Sequence, residues 1–179
     1  MAQGATIYTF NIDLSDLDRN VYQSLDLRVA LHPSEAVDYM LTRVLAYCLE
    51  YREGISFSKG LAESDEPAVW VHDYTGQITV WIEIGSPSAD RLHRASKLAE
   101  RVAVYTHKDI DIVKRNLRRG ATHRSNQIPI YEIEPKFLID FEALLERRVK
   151  CALSITEQQL YLDINGRALQ TRVVEHHLT

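Results

Sequence analysis

The chain has 179 residues, 45% of them hydrophobic and 26% charged, with a formal net charge of −4. That length fits a single domain, residues 1–179, with a sizeable buried core. No apolar run approaches the roughly 18 residues of a membrane span, so a soluble chain with no membrane partner is expected. Cys48 and Cys151 have neither C-x-x-C spacing nor a His at ligand spacing, which argues against a zinc site or disulfide framework and for buried thiols.

Residues 5–14 and 22–31 alternate apolar with polar side chains and read as paired strands. His32-Pro33-Ser34 breaks the pattern, and Ser34 is the expected N-cap of a helix reaching about Tyr51, with Val37, Met40, Leu41, Val44, Leu45 and Cys48 on one stripe. After an irregular stretch, residues 68–73 and 78–84 flank Tyr74-Thr75-Gly76-Gln77 as a hairpin. A helix over 89–100, a strand over 101–106 and a helix over 110–119 follow, the rhythm of crossovers and parallel pairing. A strand over 128–133, a helix over 135–145 and a tail of two or three strands turning near Asn165-Gly166 complete a mixed α/β sheet with flanking helices. The N-terminal residues 1–8 show no secretory, transit or lipidation pattern, so a cytoplasmic location is expected.

Charge is unevenly placed. Residues 1–66 hold 11 acids against 5 Lys/Arg, whereas residues 90–124 hold 10 Lys/Arg against 4 acids. Such a division suits a metal-binding acidic cluster and a phosphate-facing basic surface, and equally two solvated faces.

Glu83 is the residue that most needs a chemical explanation. It stands on the apolar run Ile78-Thr79-Val80-Trp81-Ile82-Glu83-Ile84, which reads as a central strand buried on both faces. An unpaired charge there costs several kcal/mol, so a partner, a proton or a metal must neutralise it. Asp65-Glu66-Pro67 precedes the hairpin whose return strand carries Glu83, and two close carboxylates repel unless a cation lies between them. Oxygen ligands of this kind suit Mg²⁺ or Mn²⁺. Glu35 is a third acid, although an acid in a first helical turn also serves simply to offset the helix dipole.

The order of these acids, Glu35, then Asp65 before the hairpin, then Glu83 on its return strand, resembles that of the PD-(D/E)XK nuclease superfamily. More closely, the sequence resembles the YaeQ family of bacterial proteins. The shared features are Leu17-Asp18-Arg19-Asn20, His32-Pro33-Ser34-Glu35, Arg43, Gly60-Leu61, Asp65-Glu66-Pro67 and Trp81-Ile82-Glu83-Ile84-Gly85, followed by Pro87 and Arg91. The resemblance implies a restriction-endonuclease-like α/β core with additional C-terminal strands. It also implies Glu35, Asp65 and Glu83 as ligands of Mg²⁺ or Mn²⁺. It departs from the superfamily pattern at Gly85, where a Lys two residues after the last acid would orient the attacking water. Arg91, Arg94 and Lys97, spaced three apart on the following helix, are the substitutes at hand. An Arg can stabilise phosphate charge but stays protonated and cannot serve as a base.

Lys114, Arg115, Arg118 and Arg119 form a basic helical stripe suited to a nucleic-acid backbone. His32, His72, His93, His107 and His123 show no ligand spacing, and no phosphate-cradling glycine motif or nucleophile elbow occurs. Two functions follow as expectations. The first is a metal-dependent hydrolase of phosphodiester bonds in nucleic acid, with metal-bound hydroxide as nucleophile. The alternative is a noncatalytic nucleic-acid- or protein-binding module on a nuclease-derived fold, which the missing Lys favours.

Overall fold

The computed structural model describes residues 4–59, 65–120 and 124–178; Gly60, Leu61 and His123, named above, lie outside them. The elements are β1 (Thr6–Asp16), β2 (Val21–Leu31), α1 (Val37–Leu49), β3 (Ile55–Phe57), β4 (Val69–His72), β5 (Ile78–Ile84), α2 (Ala89–Leu98), β6 (Arg101–Thr106), α3 (Ile110–Arg118), a 3₁₀ turn (Ser125–Gln127), β7 (Ile130–Glu132), α4 (Pro135–Ala143), β8 (Arg148–Thr156), β9 (Gln159–Ile164), β10 (Arg167–Arg172) and β11 (Val174–His176). The fold is mixed α/β, and among the described residues it has four α-helices and two mixed sheets rather than the single sheet expected from the sequence. The chain divides into two compact units, residues 1–41 with 133–173 and residues 42–132 with 174–179. Each is assembled from distant segments, which is why no linker composition marks a boundary.

The first unit holds a five-stranded sheet in the order β10-β9-β8-β1-β2. β1 pairs antiparallel with β2 from Thr6↔Leu31 to Asp16↔Val21 and parallel with β8 from Thr9↔Arg148 to Asp16↔Ile155. Alternation sends Phe10, Ile12, Leu14, Leu25, Leu27, Val29, Val149, Leu153 and Ile155 into the core, while Asn11, Asp13, Asp26 and Lys150 are exposed. α4 packs over the apolar face, with Phe141 edge-on to Phe10 at 6.5 Å between ring centres.

Two tight turns join the C-terminal strands. Asn165 (φ 53°) and Gly166 (φ 77°) are residue types that tolerate the left-handed region, as the sequence anticipates. Glu157 (φ 51°) and Gln158 (φ 64°) are not, and their turn is held from afar: the Asp18 carboxylate accepts the backbone N–H of Glu157 at 2.6 Å and of Gln158 at 3.0 Å. Beside it, Arg19 Nε donates to the buried Asp16 carboxylate at 2.7 Å.

Ser34 does not cap α1. Residues 32–35 form a turn closed by the Glu35 N–H on the His32 carbonyl at 2.9 Å, and the helix begins at Val37. The same short polar side chains serve turns and N-caps, so the motif announces a break in the chain without fixing where the helix starts.

The second unit holds a six-stranded sheet in the order β11-β7-β6-β5-β4-β3. β5, β6 and β7 are parallel, linked by α2 and α3, while β4 and β3 extend the sheet antiparallel. Trp81, Val102, Val104 and Ile130 on one face pack with Leu92 and Ala95 of α2 and Val113 and Leu117 of α3. On the opposite face α1 meets β3 through Tyr47 stacked on Phe57 at 4.7 Å. Helices on both faces explain why β5 reads as an almost unbroken apolar run.

Candidate functional site

Glu83 projects from β5 on the same face as Trp81, two residues earlier, because side chains of a strand alternate. Glu83 is only 5% exposed, yet it is not stranded. Its Oε1 accepts the indole N–H of Trp81 at 2.7 Å and Nε–H of Arg91 at 2.6 Å. Arg91 reaches it from the first turn of α2, whose start is fixed by Ser88 Oγ accepting the Arg91 backbone N–H at 3.2 Å. A second nitrogen of the same guanidinium, Nη2, donates to the Glu66 carbonyl. Arg91 thus ties the core carboxylate of β5 to the segment entering β4.

Burial pushes the Glu83 carboxyl above the ordinary glutamate value, outweighing the Trp81 hydrogen bond and the Arg91 charge, both of which favour ionisation. Desolvation is therefore the larger effect, and the pair supports Glu83 without fully offsetting its burial.

The other acids are placed differently. Asp65 is exposed in a turn, and the neighbouring Glu66 uses its Oε2 to accept the Lys59 backbone N–H at 3.2 Å. Glu35 belongs to the first unit, is 8% exposed and lies just ahead of α1. Among the described residues no group of three or more His, Cys, Asp or Glu side chains is arranged to hold a metal ion. The donors already on Glu83 Oε1 do not suit a divalent metal there either, since a guanidinium at 2.6 Å would repel a cation sharing that oxygen.

Gly85 adds a backbone reason. Its φ of +88° lies in the region that disfavours side chains, and its N–H is tied to the Tyr105 carbonyl at 2.8 Å. A Lys at this position would be strained even though a Cβ there meets no atom within 4 Å.

Of the cations on α2, only Arg91 is partly buried; Arg94 and Lys97 are exposed. On α3, Asp109 caps the helix by accepting the N–H groups of Asp111 at 3.0 Å and Ile112 at 3.1 Å. Val113 and Leu117 face the core, which turns Arg115, Arg118 and Arg119 outward while Lys114 is half-buried. Those three arginines and Asp111 line a surface concavity of about 530 Å³. Arg118 is steadied by Nε–H donation to the Leu178 carbonyl at 3.3 Å.

A second buried polar cluster has no local sequence signal. Glu50, just past α1 and 2% exposed, accepts from Arg101 Nη2 at 2.7 Å and from the Tyr105 hydroxyl at 2.9 Å. Tyr105 stacks on Tyr131 at 4.8 Å, and burial followed by the Glu50 charge raises its hydroxyl well above the usual tyrosine value. With donors converging on one carboxylate, this cluster anchors the end of α1 to β6. Earlier on α1, Thr42 Oγ1 lies 3.2 Å from Nδ1 of the buried His107.

Comparison with known proteins gives these side chains a context. The family model described as YaeQ protein matches residues 1–173. The chain belongs to the YaeQ family. It is 40% identical over 108 residues to the uncharacterized protein YaeQ of Escherichia coli (strain K12), a stretch covering 60% of this chain and 59% of that protein. The same protein of Salmonella typhi is 39% identical over 108 residues, with the same coverage. The match therefore spans under two thirds of these relatives' length. The crystal structure of YaeQ from Pseudomonas syringae is similar along nearly the whole chain, with 30% identity, 97% of each chain covered and a TM-score of 0.90. YaeQ from Xanthomonas axonopodis pv. citri, at 24% identity and a TM-score of 0.87 over 97% of this chain and 98% of that one, shares the fold. No described helix is long and apolar enough to cross a membrane.

Proposed function

We propose that this YaeQ-family chain is a noncatalytic module that binds the nucleic-acid backbone, built on a restriction-endonuclease-like scaffold. The observation that carries the reading is the occupancy of Glu83: the strand carboxylate that would hold a metal is held by Trp81 and Arg91 instead. The left-handed backbone at Gly85, where the missing Lys would stand, points the same way. The exposed Arg115, Arg118 and Arg119 supply the phosphate-binding charge. The scaffold assignment draws on the hairpin of β4 and β5, with Asp65 before its outgoing strand and Glu83 on its return strand.

The test compares wild type, Glu83→Gln and the triple variant Arg115→Ala/Arg118→Ala/Arg119→Ala against labelled DNA and RNA, with Mg²⁺ and with Mn²⁺. The expected result is no cleavage, binding unchanged in Glu83→Gln, and binding weakened at least about tenfold in the triple variant. Metal-dependent cleavage that Glu83→Gln abolishes establishes the hydrolase instead. Absence of binding to every probe refutes the nucleic-acid reading.

A further inference from the structure

If the basic surface takes a nucleic-acid backbone, its surroundings also indicate which form of nucleic acid it takes. α2 and α3 pack side by side on one face of the six-stranded sheet, sharing a core through Leu92, Ala95, Val113 and Leu117. Helices packed in this way have axes about 8–10 Å apart. Their outward faces carry Arg94 and Lys97 from one helix and Arg115, Arg118 and Arg119 from the other, all exposed. The exposed acids on these two helices, Asp90 and Asp111, lie in the first turns, where they offset the helix dipoles.

Cations therefore stand in two rows rather than one. Two rows at this separation suit phosphates on the two strands flanking a groove, whose widths are about 6 and 12 Å in B-form DNA. A single strand offers one line of phosphates and relies for the remaining affinity on bases stacked on aromatic side chains. No such platform is present among the described residues of this face. Between Gly85 and Ile130 the sequence contains a single Phe, Tyr or Trp, Tyr105. Tyr105 is 3% exposed, and its hydroxyl is committed to Glu50 on the opposite face of the sheet. The described aromatics that are well exposed, Tyr22, Tyr74 and Tyr161, all belong to other parts of the chain.

Resting on the backbone-binding reading above, we infer that the α2–α3 face of this chain binds double-helical nucleic acid through its sugar-phosphate backbone, without base stacking and with little dependence on base sequence. DNA and RNA duplexes share this chemistry. They differ in groove geometry, so the two are compared as separate arms of one experiment.

Fluorescence anisotropy with the full chain tests the inference, using one sequence of about 20 nucleotides as single-stranded and duplex DNA and as single-stranded and duplex RNA, together with a scrambled duplex. At least one duplex is expected to bind about tenfold or more tighter than either single strand, with the scrambled duplex within about twofold of it. Five phosphate-neutralising cations give a slope of log K against log salt of about −4.5, a loss of about 500-fold between 50 and 200 mM. The variant Arg115→Ala/Arg119→Ala, altered only at exposed positions, brings the slope to about −2.7, whereas the corresponding double Lys variant leaves it near −4.5. Single strands binding as tightly as duplexes, or a strong effect of scrambling, overturn this inference while leaving backbone binding intact. Failure of all probes to bind refutes the backbone reading itself.

Discussion

Replacing Arg91 by Gln removes the cation from a carboxylate that remains buried, and the cost depends on pH in a calculable way. Losing one partner of a buried ion pair costs about 3–5 kcal/mol when the remaining charge must stay ionised. Glu83 has an escape, because it can take up a proton. With an ordinary value of 4.5, holding it neutral at pH 7 costs about 3.4 kcal/mol, at about 1.4 kcal/mol per pH unit. That figure is a ceiling on the electrostatic loss at pH 7. Removing Arg91 raises the already elevated carboxyl further, so the added loss is present above the wild-type folded value, which itself lies above 4.5, and disappears as pH falls through it. The ceiling falls to about 1.4 kcal/mol at pH 5.5 and vanishes near pH 4.5. A pH-independent remainder of about 1 kcal/mol reflects the lost bond to the Glu66 carbonyl. Urea unfolding of wild type and Arg91→Gln at pH 4.5, 5.5 and 7 measures this, and Glu83→Gln/Arg91→Gln should be more stable than Arg91→Gln alone at pH 7. A destabilisation that is flat with pH, or a double variant weaker than the single one, refutes the reasoning.

The hairpin of β8 and β9 should lose about 0.5–1.5 kcal/mol in Asp18→Ala, which hands two exposed backbone N–H groups from the carboxylate to water. It should gain up to about 1 kcal/mol in Glu157→Asn/Gln158→Gly, whose residues tolerate positive φ; denaturant midpoints read both changes. Burial, followed by the charge of Asp13, raises the Cys151 thiol to about 12, so this thiol should resist a disulfide reagent at pH 8 in the native protein and react when urea unfolds it. Rapid native labelling of Cys151, traced by peptide mass, contradicts that placement.

Much of the second unit was legible because its signals are local. The apolar run of β5 and the turn at Gly76 (φ +84°) lie within the elements they define. That Glu83 must be neutralised, by a partner, a proton or a metal, was equally readable from its neighbours. What escaped was long-range. Two sheets replace one because β1 pairs with β8, joining Thr9 to Arg148, and no pattern along the chain encodes that choice. The turn at Glu157-Gln158 carries no Gly, Asn or Asp and depends on Asp18, 139 residues before Glu157. Glu50 and Arg101 meet across 51 residues, and Ile55-Ser56-Phe57 is too short to show alternation.

The central claim is that an arginine, not a metal, balances the acid of β5. Calorimetric titration of Mn²⁺ into wild type and Glu83→Gln addresses it directly. The two proteins are predicted to give the same heats, with no stoichiometric site attributable to the carboxylate. A one-to-one Mn²⁺ site present in wild type and missing from Glu83→Gln would contradict it.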